Sequence, residues 1–142
     1  MQFDPENKIV KLCADGMSAE IAGEMRKAKV LFLQAWEMAS DNFENFIAAH
    51  YVARHQSDAT ETLRWNLEAL NYALAIEGET MKGHYPSLHL NIGKSYEDLA
   101  NATEALKYYR LAESSSIHLG NDPYGDMIRL GIRGGLARME KV

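Results

Sequence analysis

The stretch Asn91–Glu113, "NIGKSYEDLANATEALKYYRLAE", decides how this chain is read. In it Gly93 is followed three places on by Tyr96, and a polar break, Ala100-Asn101-Ala102, comes next. Beyond the break, Ala105, Tyr109 and Ala112 recur at spacings of four and three. Small and aromatic residues at helix-turn spacings on both sides of a break describe two helices in close contact. Gly and Ala let the backbones approach, and the ring fills the space that remains.

The register is written three times. Moving back 43 residues from Ala105, Tyr109 and Ala112 gives Thr62, Asn66 and Ala69, and a further 34 gives Ala28, Phe32 and Ala35. The preceding halves align by the same shifts, with Gly16, His50 and Gly93 in one column and Leu12, Phe46 and His89 in another. The polar breaks fall together at Ala22–Ala28, Gln56–Thr62 and Leu99–Ala105. One spacing is therefore 34 residues, and the other carries a nine-residue excess placed near Glu77–Tyr85. Each half follows a helical stripe, as in Leu88, Ile92, Tyr96 and Leu99 or Leu63, Leu67, Leu70 and Leu74. Asp4-Pro5 and Asp122-Pro123 each set a capping side chain before a proline suited to the first helical position. No run alternates with period two, so the expectation is an all-α chain.

A 34-residue helix–turn–helix unit with these columns resembles the tetratricopeptide repeat. The third copy matches best through Gly93, Tyr96, Leu99, Ala105, Leu106, Tyr109 and Ala112. The first keeps Gly16, Gly23, Ala28, Phe32 and Ala35, while the second departs with His50 and Asn66. The resemblance covers about Ile9 to Ile117 and implies a right-handed α–α superhelix of three helix pairs plus a C-terminal capping helix. The expected layout is one domain over 1–142, with units at about 9–42, 43–85 and 86–119 and a cap at about 123–140. Met127, Leu130 and Gly131 reproduce the opening of a fourth unit whose second helix is missing. Gly131, Gly134 and Gly135 fit thin helix packing better than a phosphate loop, since no strand precedes them and no Lys-Ser/Thr follows.

Bulk properties narrow the function. The net charge of −5, with no Lys/Arg cluster, argues against nucleic acid as a partner. A single cysteine, Cys13, gives no intrachain disulfide and fits a cytoplasmic setting. There is no segment of about 18 apolar residues to enter a membrane. His50 and His55 stand five residues apart, about 140° around a helix, a poor spacing for one metal. No HExxH, GxSxG or glycine-rich nucleotide pattern occurs. The expectation is therefore no enzyme, no cofactor and no metal.

What the chain offers is a surface. In repeats of the resembled kind the first helices line the concave side, which here presents Val10, Cys13, Met17, Glu20 and Ile21. The second unit adds Glu44, Ile47, Tyr51, Arg54 and His55, and the third Ser87, Leu90, Lys94, Glu97 and Asp98. Met17, Ile47, Tyr51, Arg54, His55, Leu90, Lys94, Glu97 and Asp98 form the expected binding groove for an unidentified protein or peptide. The set departs from the carboxylate clamp of chaperone-binding family members, because Cys13, Met17, Ile47 and Tyr51 stand where the clamp needs Lys, Arg and Asn. The alternative is a regulatory sensor, in which a groove ligand changes the helix stacking. On the helix expected from Lys27 to Ser40, Val30 and Leu33 interrupt the polar face beside Trp36, a candidate homodimer patch.

Overall fold

The computed structural model describes residues 4–141 and is all-helical, with no strand among the described residues. Seven α-helices follow one another: α1 Lys8–Ile21, α2 Met25–Met38, α3 Asn42–Ala53, α4 Ala59–Leu74, α5 Tyr85–Asp98, α6 Ala102–Ser115 and α7 Pro123–Met139. The chain clusters into two compact units, dividing after Ile76, where the nine-residue excess of the repeat spacing begins.

The helix starts are set by short polar side chains. Asp41, Asp58 and Asn101 each accept a hydrogen bond from the backbone N–H of a glutamate three residues on, at 2.8, 2.8 and 3.2 Å. Asp122 does the same to Gly125 at 2.7 Å, so the Asp122-Pro123 signal opens α7 as expected. Asp4-Pro5 does not open α1. Asn7 does, because its side-chain oxygen reaches the N–H groups of both Ile9 and Val10. Glu44 closes a further network by accepting from Asn7, at 2.7 Å, and from Ser40. Burial pulls its carboxyl up, but these hydrogen bonds outweigh that and hold it below its ordinary value.

In the first unit α1 packs on α2, and α3 packs on α1, α2 and α4. Ala28, Phe32 and Ala35 are wholly buried, and Gly16 receives the Phe32 ring where a Cβ would collide with it. The second copy keeps the arrangement less strictly: Asn66 and Ala69 are buried, while Thr62 is half-buried. Trp36 is occupied within the unit, edge-on to Trp65 at 5.0 Å and to Tyr72 at 5.9 Å. Of its neighbours in the candidate homodimer patch, Val30 is exposed and Leu33 half-buried.

The second unit opens with a 3-10 helix, Glu79–His84, within the nine-residue excess of the repeat spacing. Met81 within it is buried, and the 3-10 helix packs beside α5 and a second short turn at Ser116–His118. α5, α6 and α7 pack on one another around Ala105, Tyr109, Ala112, Ile128, Ile132 and Leu136. Gly93 faces Tyr109 as the register requires: a Cβ there would lie 2.8 Å from Cδ1 of the ring. Gly135 of α7 meets the same ring, with an added Cβ 2.6 Å from Cζ. The first and third copies also end their opening helices alike. Glu24 N–H bonds Ala19 C=O at 2.8 Å and Asn101 N–H bonds Tyr96 C=O at 2.9 Å. The residue between is left-handed in both, Gly23 at φ 79° and Ala100 at φ 59°. Ala100 thus holds a conformation that costs an L-residue about 1 kcal/mol.

Candidate functional site

The first unit carries an apolar slot between α1 and α3, of about 230 Å³, lined by Val10, Cys13, Ala14, Met17, Ile47 and Tyr51. Helical periodicity explains the set: Val10, Cys13 and Met17 share one face of α1, and Ile47 and Tyr51 one face of α3. Cys13 and Ile47 form a floor, while Met17 is 40% exposed at the rim. Burial pushes the Cys13 thiol up to about 12, so it is an inert neutral wall rather than a nucleophile.

Tyr51 ties the slot to the core. Its ring stacks on Phe32 with centroids 5.0 Å apart and planes 15° apart, so it packs against the core as well as lining the slot. Arg54 lies 5.5 Å from the centre of the Tyr51 ring and pairs with Glu20 at 3.1 Å. His55 Nε2 reaches the other oxygen of Glu20 at 2.7 Å and its ring lies beside Phe32. One carboxylate on α1 thereby holds both the Arg54 guanidinium and the His55 ring at the end of α3. The exposed Arg54 retains outward donor capacity, whereas His55 is mostly covered.

The second unit holds the corresponding space between α5 and α7, about 480 Å³, lined by Leu90, Asn91, Lys94, Tyr109, Leu130, Gly131, Gly134 and Arg138. Leu90 and Lys94 were expected from the sequence; the α7 contributors were not. Glu97 is not a free groove acid. It accepts from Tyr109 Oη at 2.6 Å and from Arg138 at 2.8 and 3.1 Å, joining α5, α6 and α7. The Arg138 hydrogen bonds, with that of Tyr109, hold the Glu97 carboxyl below its ordinary value. Burial and the Glu97 contact push the Tyr109 hydroxyl up, so it stays a donor. Lys94 and Asp98 pair at 2.6 Å along the solvent edge of α5. Ser87 is buried and donates to the His84 carbonyl, so it is structural.

The two sites correspond residue by residue. Gly16 and Gly93 receive Phe32 and Tyr109; Tyr51 and Gly135 cover those rings from the next helix; Arg54 and Arg138 pair with Glu20 and Glu97. Cys13, Met17 and Ile47 then correspond to Leu90, Lys94 and Gly131. The first slot is narrow because Ile47 and Tyr51 fill it, and the second is wide because glycine stands in both places. Among the described residues no group of three or more His, Cys, Asp or Glu side chains is placed to hold a metal ion. No helix among them is long and apolar enough to cross a membrane. Comparisons with protein-family models, curated proteins and solved structures give no match.

Proposed function

We propose that this protein is a non-enzymatic interaction module of tetratricopeptide type, its pairs forming a right-handed superhelix capped by α7, and that it binds a peptide or partner segment along its opening helices. The observation that carries this reading is the slot between α1 and α3. Its walls are apolar, its volume suits one bulky apolar side chain, and its polar end is a fixed Glu20–Arg54–His55 cluster. Such a site binds with little ordering cost, because its side chains sit on helices and are already held by packing. An aliphatic or aromatic anchor would enter the slot, with Arg54 meeting a carbonyl or acidic group beside it.

Panning a displayed peptide library on wild-type protein and on the double variant Met17→Glu, Arg54→Ala tests this. Both side chains are exposed at the rim, so melting temperature should hold while enriched peptides lose about tenfold or more in affinity. Peptides that bind both proteins equally would remove the slot from the function. Tyr51→Ala is unsuitable for this purpose, since it also strips a stacked ring from Phe32.

A further inference from the structure

Gly131, Gly134 and Gly135 stand in the interior of α7, where glycine is a poorer helix former than alanine. Packing accounts for two of them. A Cβ at Gly131 would lie 2.9 Å from Cδ2 of Leu90, and one at Gly135 would lie 2.5 Å from Cε1 of Tyr109. A Cβ at Gly134 would meet only Nη1 of Arg138, at 3.2 Å. Gly134 therefore weakens its helix without admitting a packed neighbour, and it lines the cavity of about 480 Å³ between α5 and α7. Glycine in such a place leaves the backbone open to close approach by a group that the chain does not itself supply.

The size and polarity of the cavity define what fits there. Small-molecule sites span about 300–1,000 Å³, a range that includes this cavity and lies above the α1–α3 slot. Leu90 and Leu130 give it apolar walls, and Lys94 and Arg138 stand at its polar end. Arg138 turns Nε and Nη2 to Glu97, so Nη1 is the guanidinium nitrogen left over Gly134. Lys94 gives one N–H to Asp98, and an ammonium carries two more. Glu97 already accepts three hydrogen bonds, one from Tyr109 and two from Arg138. The polar end thus has donors to offer, while its buried acceptor is taken. We propose that the α5–α7 cavity is a small-molecule site for a flat aromatic carboxylic acid. The ring lies on the open backbone at Gly134 between Leu90 and Leu130. The carboxylate accepts from Arg138 Nη1 and Lys94 Nζ at the mouth, where both side chains are half exposed. A cationic ligand would face two like charges there. The site does not rest on the peptide reading of the α1–α3 slot.

The test titrates the full chain with 2-naphthoate and with 2-naphthamide, which differ in charge but hardly in shape, and follows backbone amide resonances by NMR. 2-Naphthoate should give saturable shifts at Leu90, Lys94, Gly131 and Gly134, and the amide should bind about tenfold or more weakly. Gly134→Leu, which fills the space over the backbone, should weaken the acid about tenfold or more. So should Leu130→Gln, at a side chain already 64% exposed, which keeps the test open should Gly134→Leu disturb the fold. Lys94→Met should weaken the acid and leave the amide's affinity unchanged. Melting temperatures near wild type verify that each variant is folded. Met17→Glu with Arg54→Ala should leave both ligands bound as before, so failure of the α1–α3 slot and failure of this site are read separately. Absent saturation, shifts centred on Val10, Cys13 and Ile47, equal affinity for acid and amide, or binding indifferent to these substitutions each overturns the proposal.

Discussion

Two glycine-to-alanine substitutions on helices of the second unit should have opposite signs. In a helix interior Ala is favoured over Gly by about 0.5–1 kcal/mol, because the unfolded chain has less freedom to lose. At Gly134 of α7 a new methyl would meet only Nη1 of Arg138, at 3.2 Å, a nitrogen that carries neither of the hydrogen bonds to Glu97, so Gly134→Ala should stabilise by about that amount. At Gly93 the new methyl would sit 2.8 and 2.9 Å from two carbons of the Tyr109 ring. The ring cannot retreat easily, since Gly135 of α7 also abuts it, an added Cβ there lying 2.5 Å from Cε1, and its hydroxyl is held by Glu97 at 2.6 Å. Overpacking of that kind costs about 1–3 kcal/mol, which leaves Gly93→Ala destabilising by about 1 kcal/mol or more.

The pair differ by about 2 kcal/mol, or several degrees in melting temperature. Urea unfolding followed by far-ultraviolet circular dichroism reads the difference, with helix content at low temperature serving as the control. If Gly93→Ala stabilises as Gly134→Ala does, the Tyr109 ring is not seated in the Gly93 notch and the helix register of the second unit is wrong.

Removing the Glu97 charge should cost more than removing its most exposed partner. Glu97→Gln loses charge assistance to both Tyr109 and Arg138 and should destabilise by about 1–2 kcal/mol, whereas Arg138, half exposed, should cost about 1 kcal/mol or less as Ala; equal costs in urea unfolding would deny Glu97 its three-helix role. Acid should weaken the fold through His89, whose imidazole burial holds below its ordinary value between Tyr85 and Tyr108. A lowered folded value means the unfolded chain takes up the proton first, so stability is full above about pH 6.5 and falls as pH drops below it. His89→Phe should flatten part of that decline, leaving the share due to His84, which burial also lowers; an unaltered slope between about pH 6.5 and 5 would exclude His89.

The packing register was legible because close helix contact restricts residue type at fixed spacing. Of the nine second-helix positions in the three copies, only Thr62 escapes full burial. The slot of the first unit was legible for the same reason, since Val10, Cys13, Met17, Ile47 and Tyr51 repeat with helical period on one side of α1 and α3. The second cavity was only half legible. Its other wall is α7, and a helix read as a cap carries no reason in its own sequence to line a cavity.

Glu97 shows what spacing alone hides and what would have revealed it. Four residues after the column Gly16, His50, Gly93 and Gly134 stand Glu20, Arg54, Glu97 and Arg138, acid and base in turn. Within each unit these become ion pairs, Glu20 with Arg54 and Glu97 with Arg138. Like charges at one level of neighbouring helices would repel, and a lone acid beside a buried ring would lose hydration without return. Alternating sign in a column therefore marks side chains that answer one another across helices.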